Sequence, residues 1–280
     1  MTEPIARPFN DFVPDLGDDP SVQLAVSASG SATVLLNRPE KKNAFNAATI
    51  AGLHQAFETL HGADTVRVVF LRGAGGTFSA GGDLDWMRSQ AEASEADNRA
   101  DALGLARMLK ALHDVPALTV ALVQGAAMGG GAGLVAACDM AVATPEASFA
   151  FSEVRLGLTP ATISPYVVQA VGPRRARALF ATGRRFGAEE ALRFGLIDEI
   201  APDLDSVQER LAGEMAACAP GAVGEAKRLV DLVHGARIDR GLLEETARRI
   251  AARRASAEGR EGTRAFLERR KPVWAEEEGP

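Results

Sequence analysis

The sequence predicts a mixed α/β fold, in which strands and helices alternate through a core and a helical region follows. Apolar runs of strand length alternate with helical patterns as far as residue 164, whereas helical patterns follow one another from Pro165 onward. The run from Ala117 to Val123 is almost entirely apolar, which is typical of a strand buried on both faces of a parallel sheet. With 280 residues, of which 46% are hydrophobic, the chain is long enough to bury such a core.

Hydrophobic periodicity predicts the individual elements. Residues 22–27 and 32–36 alternate apolar and polar positions around a Ser-Gly-Ser turn, which predicts a β-hairpin. Ile50, Leu53 and Phe57 lie at helical spacing and predict a helix that leads to a strand over Val66–Leu71. The later core is predicted as a helix near Asn98–Leu112, a strand over Ala117–Val123, a helix over Ala132–Ala137, and strands over Met140–Ala143 and Ser148–Phe151. The C-terminal helices are predicted over Pro165–Val171, Arg174–Thr182, Ala188–Phe194, Val207–Ala217, Val223–His234, Gly241–Arg254 and Glu258–Arg270.

No shift in composition divides the chain into independent domains, so we predict one unit with three parts. Residues 1–20 contain Pro, Asp and Gly without an apolar core and are expected to form a poorly ordered lead-in. Residues 21–200 are expected to form the core with the active site, and residues 201–280 the C-terminal helical region.

Charge and composition exclude several classes of protein. A net charge of −6 and a pI near 5.4 argue against nonspecific nucleic-acid binding, which depends on clustered cations. No apolar run approaches the roughly 20 residues of a membrane span, and no signal core is visible, so we expect a cytoplasmic protein without membrane contact. Cys138 and Cys218 have no Cys or His neighbours at ligand spacing, which argues against a metal site and a disulfide framework.

Two glycine-rich turns are the most informative part of the chain. The segment VQGAAMGGGAGLVAAC, residues 123–138, places Gly129, Gly130 and Gly131 between a strand and an apolar helix. A helix start presents backbone N–H groups that lack intrahelical acceptors, which favours a negative oxygen there. A second turn, FSAGGDLDWM at residues 78–87, follows another strand and could supply a further N–H. Two such donors are what an oxyanion hole requires, although tight turns and close packing also use glycine.

Together with three further segments, these turns resemble the crotonase, or enoyl-CoA hydratase/isomerase, family. The matching segments are LNRPEKKNAFN at 36–46, FSAGGDLDWM at 78–87, VQGAAMGGGAGLVAACDMAVAT at 123–144, FSEVRLGLTP at 151–160 and ATGRRFGAEEALRFGLIDEI at 181–200. The resemblance implies a core of repeated β-β-α units, a C-terminal helical trimerisation region, and a homotrimer or dimer of trimers. It also implies an acyl-CoA thioester as substrate and no separate cofactor, since CoA arrives with the substrate.

The resemblance assigns the oxyanion-hole N–H groups to Gly82 and Gly130, and the acid/base carboxylate to Glu153. A carboxylate between apolar neighbours is costly to keep unless it functions, although Glu153 could instead cap the next turn or pair with Arg155. Hydratases of the family typically carry a second glutamate, and its position here is Gly133. We expect this loss to remove a like charge that would raise the partner's pKa, and to leave room for a bulkier acyl group or a water molecule.

A set of substrate-binding residues is also expected. Those expected around the acyl group are Trp86, Met87, Gly133, Ile163, Ser164 and Tyr166. A carboxylate on the substrate itself would be met by Ser164, Tyr166 or Arg88. Those that the resemblance gives for CoA are Lys42, Ala44, Ala80, Asp83 and Leu84, with Phe266 and Arg269 often reaching it from a neighbouring subunit.

Three functions remain open at this point. The segments around residues 78, 130 and 153–168 most closely resemble hydratases of the methylglutaconyl-CoA and isohexenylglutaconyl-CoA type, which implies hydration in fatty-acid, leucine or terpenoid degradation. A Δ3,Δ2-enoyl-CoA isomerase is the alternative, since one glutamate suffices to carry a proton between the α- and γ-carbons. A binding protein that keeps the fold without turnover is the third reading, against which the acidic pI and the intact Glu153 count.

Overall fold

The computed structural model describes residues 20–275, which form two β-sheets surrounded by helices. The strands are β1 (Val22–Val26), β2 (Ser31–Leu36), β3 (Val68–Gly73), β4 (Leu118–Val123), β5 (Ala126–Met128), β6 (Met140–Ala143), β7 (Ser148–Ala150), β8 (Phe186–Gly187) and β9 (Glu199–Ile200). The helices are α1 (Ala47–His61), α2 (Leu84–Glu92), α3 (Glu95–Asp114), α4 (Gly130–Ala137), α5 (Ser164–Val171), α6 (Pro173–Thr182), α7 (Ala188–Phe194), α8 (Leu204–Ala216), α9 (Pro220–Val233), α10 (Arg240–Ala255) and α11 (Ala257–Glu268).

The order of the strands confirms the predicted β-β-α repetition. The larger sheet has the order β1-β2-β3-β4-β6-β9, and it is parallel except for the β1–β2 hairpin. The smaller sheet has the order β5-β7-β8. The chain passes from β4 in the larger sheet to β5 in the smaller one, and again from β6 to β7, with α4 between these pairs. From β4 to β7, strands that follow one another in the chain therefore alternate between the larger and the smaller sheet.

Helix α4 lies at the centre of this arrangement. Every residue of α4 after Gly130 is buried, because the helix packs against α3 on one side and α5 on another. Its sequence contains small and apolar residues only, so it has no polar face to present to solvent. The first turn of α4 is thereby held rigidly within the core.

The differences from the predicted elements have simple causes. Helix α2 was not predicted because its first turn, residues 84–87, belongs to the segment FSAGGDLDWM, which was interpreted as a glycine-rich turn. Strands β8 and β9 have two residues each, too few to show a period. Strand β3 begins two residues later than predicted, at Val68, where its parallel pairing with β2 begins. The other predicted elements are present, with ends that move by three residues or fewer.

The C-terminal helices differ in how far they join the core. Leu204, Val207 and Leu211 of α8 pack on the face of the larger sheet formed by β3, β4 and β6. Helix α10 has no buried residue in the described chain. The predicted lead-in, residues 1–20, lies outside the described residues except for Pro20, and the division at residue 200 stays a prediction. None of the helices within residues 20–275 combines the length and apolarity needed to cross a bilayer.

Candidate active site

The structure brings the two glycine turns together. Ser79 donates its N–H to the Ala126 carbonyl at 2.9 Å and accepts the Met128 N–H at 3.0 Å, so the second turn runs parallel to β5. Gly81 follows with a φ of +92°, and a Cβ on it would lie 2.9 Å from the Met128 carbonyl oxygen. Only glycine fits there, since both the backbone conformation and the close approach exclude a side chain.

Each turn ends with an N–H group that has no acceptor within residues 20–275. Gly130 is the first residue of α4, so its N–H has no intrahelical partner. Gly82 lies between two bonds that its neighbours make with Phe45: the Phe45 N–H donates to the Gly81 carbonyl, and the Asp83 N–H donates to the Phe45 carbonyl, both at 2.7 Å. The Gly82 N–H is left free between them. Two adjoining turns therefore each present a donor.

Glu153 lies against the start of α4. It opens a short 3₁₀ turn, Glu153–Leu156, which begins three residues after the last residue of β7, and a Cβ on Gly129 would lie 3.2 Å from its Oε1 atom. Its Oε2 atom is buried and has no hydrogen-bond partner among the described residues. Burial raises the pKa of the Glu153 carboxyl, and a bond from its own backbone N–H counteracts this in part. A carboxylate with a raised pKa accepts a proton more readily than an ordinary glutamate does.

The space at Gly133 is filled rather than open. A Cβ on Gly133 would lie 2.2 Å from Cγ2 and 2.8 Å from Cβ of Ile163, whose side chain is 2% exposed. The expectation that the missing glutamate leaves room for a bulkier acyl group or a water at this point is therefore wrong. Gly129 and Gly133 are four residues apart, one helical turn, so Glu153 and Ile163 cover successive turns of α4. One carboxylate and one apolar side chain stand where the family typically has two carboxylates.

The residues expected around the acyl group are found in different places. Met87 and Trp86 lie at Gly82, because a Cβ on that glycine would lie 3.2 Å from Met87 Sδ and 3.7 Å from Trp86 Cε3. The Tyr166 ring instead packs against His113 at the end of α3, with ring centroids 5.6 Å apart. Burial, and then the charge of a nearby carboxylate, raise the pKa of Tyr166.

The polar candidates for a substrate carboxylate already have partners within the chain. The Ser164 hydroxyl donates to the Ala161 carbonyl at 2.8 Å. Arg88 forms an exposed ion pair with Asp85 at 2.9 Å. A substrate carboxylate at either side chain would have to compete with these bonds.

The residues expected to bind CoA form a turn beside the second glycine turn. Lys42 is exposed and left-handed, with φ 52°, and its carbonyl accepts the Ala80 N–H at 2.9 Å. Ala44 is buried, whereas Leu84 is 76% exposed at the start of α2. Lys42, Ala80 and Leu84 are exposed and form one edge, with Ala44 buried beside them.

Asp83 has a structural role that sequence reasoning did not assign. Its carboxylate pairs with Arg38 at 2.9 Å and accepts the Asp85 N–H at 2.9 Å, which caps α2. Arg38 also donates to the Ala44 carbonyl at 2.7 Å and so joins the two turns. The signal was present in the matching LNRPEKKNAFN segment, which contains Arg38, but its partner lies 45 residues away.

The last two expected CoA contacts lie on α11 and just beyond it. Phe266 is 81% exposed, and Arg269 ends the helix in a left-handed conformation, with φ 55°. An aromatic side chain this exposed stabilises little within its own subunit.

The strand order, the paired glycine turns and the carboxylate beside them define a crotonase-type α/β protein. Comparison with known proteins agrees: the family model described as enoyl-CoA hydratase/isomerase matches residues 27–277. The chain belongs to this family, whose members act on acyl-CoA thioesters.

Individual relatives cover nearly the whole chain. The crystal structure of an enoyl-CoA hydratase from Shewanella pealeana is 40% identical, with a TM-score of 0.88 over 91% of this chain and 96% of that one. The structure of Pseudomonas aeruginosa AtuE is 37% identical, with a TM-score of 0.86 over 91% of this chain and all of that one (100%). The enoyl-CoA isomerase/hydratase fer4 of Mycosarcoma maydis is 32% identical over 258 residues, covering 88% of this chain and 93% of its own.

Proposed function

We propose that this protein adds water across the 2,3 double bond of an enoyl-CoA thioester. The observation that carries the proposal is Glu153: beside the first turn of α4 lies one of its carboxylate oxygens, which is buried and has no hydrogen-bond partner within residues 20–275. The free N–H groups of Gly82 and Gly130 would bind the thioester oxygen, where negative charge develops in the transition state. Removal of one such donor costs about 2.7–4 kcal/mol in other enzymes, so the pair would supply much of the rate.

Glu153 would serve as both base and acid. In its ionised form it takes a proton from a water molecule, whose oxygen bonds to C3 of the substrate. The electrons of the double bond move to the thioester oxygen, which the two N–H groups stabilise. Glu153 then returns the proton to C2 as the carbonyl re-forms, and the carboxylate is regenerated. The raised pKa favours this cycle, because it brings the acid and base forms closer in energy near neutral pH.

A hydratase with a single glutamate is the finer form of the proposal. Ile163 covers Gly133, so no second carboxylate shares the proton transfers at this position. The segments around residues 78, 130 and 153–168 favour a methylglutaconyl-type substrate through their resemblance to hydratases of that type. The carboxylate of such a substrate would compete with the Ala161 carbonyl for the Ser164 hydroxyl, or with Asp85 for Arg88. Tyr166 would contact this carboxylate only if the site extends as far as His113.

We propose that CoA binds along the edge formed by Lys42, Ala44, Ala80 and Leu84, completed by Phe266 and Arg269 of a neighbouring subunit. The apolar side chains exposed on α10 and α11 support self-association as a trimer or dimer of trimers. They are Leu243 (59% exposed), Ile250 (51%), Phe266 (81%) and Leu267 (74%). A cytoplasmic location stays a prediction.

Isomerisation is the second candidate function, and the filled space at Gly133 favours it as much as hydration. A single carboxylate can remove a proton from C2 of a 3-enoyl thioester and return it to C4, without a water molecule in the site. The relative fer4 carries both activities in its name. A protein that binds acyl-CoA without turnover is the third candidate.

An absorbance assay separates the candidates. Hydration of crotonyl-CoA or 3-methylglutaconyl-CoA removes the absorbance of the conjugated thioester, whereas isomerisation of a 3-enoyl-CoA creates it. Glu153→Gln should abolish either activity. Glu146→Gln, which changes an exposed glutamate between β6 and β7, is the matched control.

Loss of conjugated absorbance establishes hydration, and the faster substrate indicates the acyl class. Gain on the 3-enoyl substrate alone overturns hydration in favour of isomerisation. Absence of any turnover, with acyl-CoA bound, supports the binding protein.

A further inference from the structure

The two donor glycines lie on separate segments of the chain, and Phe45 contacts both segments. Its backbone holds Gly82 in place: its N–H donates to the carbonyl before that glycine, and its carbonyl accepts the N–H after it, both at 2.7 Å. The orientation of the Gly82 N–H therefore follows the backbone of Phe45.

The side chain of Phe45 lies against the other donor glycine, Gly130. Its ring packs on the first residue of α4, since a Cβ on Gly130 would lie 2.9 Å from Cε2 and 3.1 Å from Cδ2 of the ring. Phe45 is 1% exposed, so the ring has no free side toward which to move. Glycine at position 130 is what permits this approach.

The segment that carries Phe45 is itself firmly bound. Asn43 adopts a left-handed conformation, with φ 54°, and its side chain donates to the carbonyls of Ala74 at 2.9 Å and Thr77 at 2.7 Å. The Ser79 hydroxyl donates to the Asn43 carbonyl at 2.8 Å. A displacement of Phe45 would break buried hydrogen bonds as well as lose packing.

An oxyanion hole works only when both of its donor groups lie at the right distance from the oxyanion. Each donor must lie 2.7–3.1 Å from the position of the developing oxyanion, and a misplacement of about 1 Å can cost about 100-fold in rate. The backbone bonds between Ser79 and β5 join the two segments directly, and Phe45 adds contacts at the donor glycines themselves. Among the described residues, Phe45 contacts both through the bonds and the packing given above.

We propose that Phe45 is a positioning residue that sets the distance between the N–H groups of Gly82 and Gly130. The inference rests on the proposed function, in which these groups bind the thioester oxygen. It does not depend on whether the reaction is hydration or isomerisation, because both develop charge on that oxygen.

The test compares Phe45 with a phenylalanine of equal burial. Phe45→Ala and Phe45→Leu are made beside Phe57→Ala and Phe57→Leu, because Phe57 is fully buried on α1 (0% exposed) and contacts neither glycine turn in the bonds described. Steady-state kinetics are measured on the substrate that the assay above identifies. The absorbance of bound cinnamoyl-CoA is recorded with each change in a Glu153→Gln background, where no turnover occurs. A polarised carbonyl shifts this absorbance to longer wavelength.

We expect Phe45→Ala to lower kcat about 10- to 100-fold with little change in KM, because the donors are misplaced while CoA binding persists. The shift of bound cinnamoyl-CoA should shrink in parallel, and Phe45→Leu should restore part of both. The Phe57 variants should lose stability but keep the shift. If Phe45→Ala does not fold, Phe45→Leu carries the comparison with Phe57→Leu.

Equal shifts and equal kcat in the Phe45 and Phe57 variants would overturn the proposed role of Phe45. A Glu153→Gln protein that binds cinnamoyl-CoA without any shift would instead show that Gly82 and Gly130 do not form an oxyanion hole. That result would remove the proposed function and this inference together. The two failures are therefore distinguishable.

Discussion

Replacing Gly133 with alanine adds one methyl group to α4 where Ile163 already lies. The new Cβ would lie 2.2 Å from Ile163 Cγ2, far inside the ordinary contact distance of about 3.5–4 Å. Ile163 is 2% exposed, so relief requires the core to move. Overpacking of this kind costs about 1–3 kcal/mol, and removal of a helix glycine returns about 0.5–1 kcal/mol. We expect Gly133→Ala to lower the free energy of unfolding by about 1 kcal/mol, within a range of about 0–2.5 kcal/mol.

Urea denaturation of a matched set tests this reasoning. Gly104 lies within α3, where a Cβ would meet no atom within 4 Å, so Gly104→Ala should stabilise the protein by about 0.5–1 kcal/mol. Ile163→Ala alone should cost about 2–5 kcal/mol, but Gly133→Ala in the same protein fills part of the vacated space. The double variant should therefore be about 1–2 kcal/mol more stable than the sum of the single changes predicts. Equal stability of Gly133→Ala and Gly104→Ala, or simple additivity with Ile163→Ala, would refute the assignment of this space to Ile163.

Three further predictions concern charge and association. Because burial raises the pKa of Glu153, the folded state retains its proton to higher pH than the unfolded state, and the ionised group reduces stability above its unfolded pKa. Glu153→Gln should thus lose turnover, yet near pH 7 it should resist urea at least as well as the wild type. The difference in stability between the two proteins should vanish toward about pH 4.3, the pKa of an unfolded glutamate. An inactive variant that is also less stable near pH 7 would contradict this. Burial opposes ionisation of Asp83, but hydrogen bonds from the Asp85 N–H and Arg38 outweigh it and lower the pKa of Asp83. The ionised carboxylate therefore stabilises the folded state above the unfolded pKa, and this contribution is lost as pH falls through the folded pKa. Asp83→Ala should cost about 1–2 kcal/mol in urea denaturation near neutral pH and less in acid, and a constant difference would count against this role. Phe266→Ser should weaken self-association, measured by sedimentation velocity. It should also raise the KM for acyl-CoA about tenfold, which corresponds to a loss of about 1.4 kcal/mol of binding free energy. Unchanged association and unchanged KM would exclude a contact of Phe266 across subunits.

The parts of the fold that periodicity predicted are those with a strong apolar pattern. The β1–β2 hairpin pairs as its turn indicates, and β6 and α7 have the predicted bounds. Helix α2 escaped prediction because its first turn, residues 84–87, belongs to the segment that was interpreted as a glycine-rich turn. Two-residue strands such as β8 form only because β7 is already in place, so their own residues carry no signal.

Local motifs in the sequence predicted the candidate site only in part. The glycine turns and Glu153 stand out in the sequence, because glycines before an apolar helix and a carboxylate among apolar residues are both unusual. The positions of Trp86 and Met87 beside Gly82 follow from the turn that precedes α2. Their roles in binding stay predictions.

Contacts between distant segments could not be inferred in the same way. Ile163 and Gly133 are 30 residues apart, and no local pattern indicates that one fills the space of the other. The pairing of Arg38 with Asp83 and the packing of Phe45 on Gly130 likewise join segments from different parts of the chain.

Residue types and local turns therefore predicted the fold class, and the resemblance of the motifs indicated Glu153 as the candidate carboxylate. Whether a backbone N–H is free depends on which carbonyls its neighbours use, as at Gly82, and this became visible only once Phe45 was in position. Whether a missing side chain leaves a cavity depends on what else packs there, because protein interiors are filled to near crystal density. At Gly133 the space is filled by Ile163, which the chain reaches only after two more strands, β6 and β7, and a 3₁₀ turn.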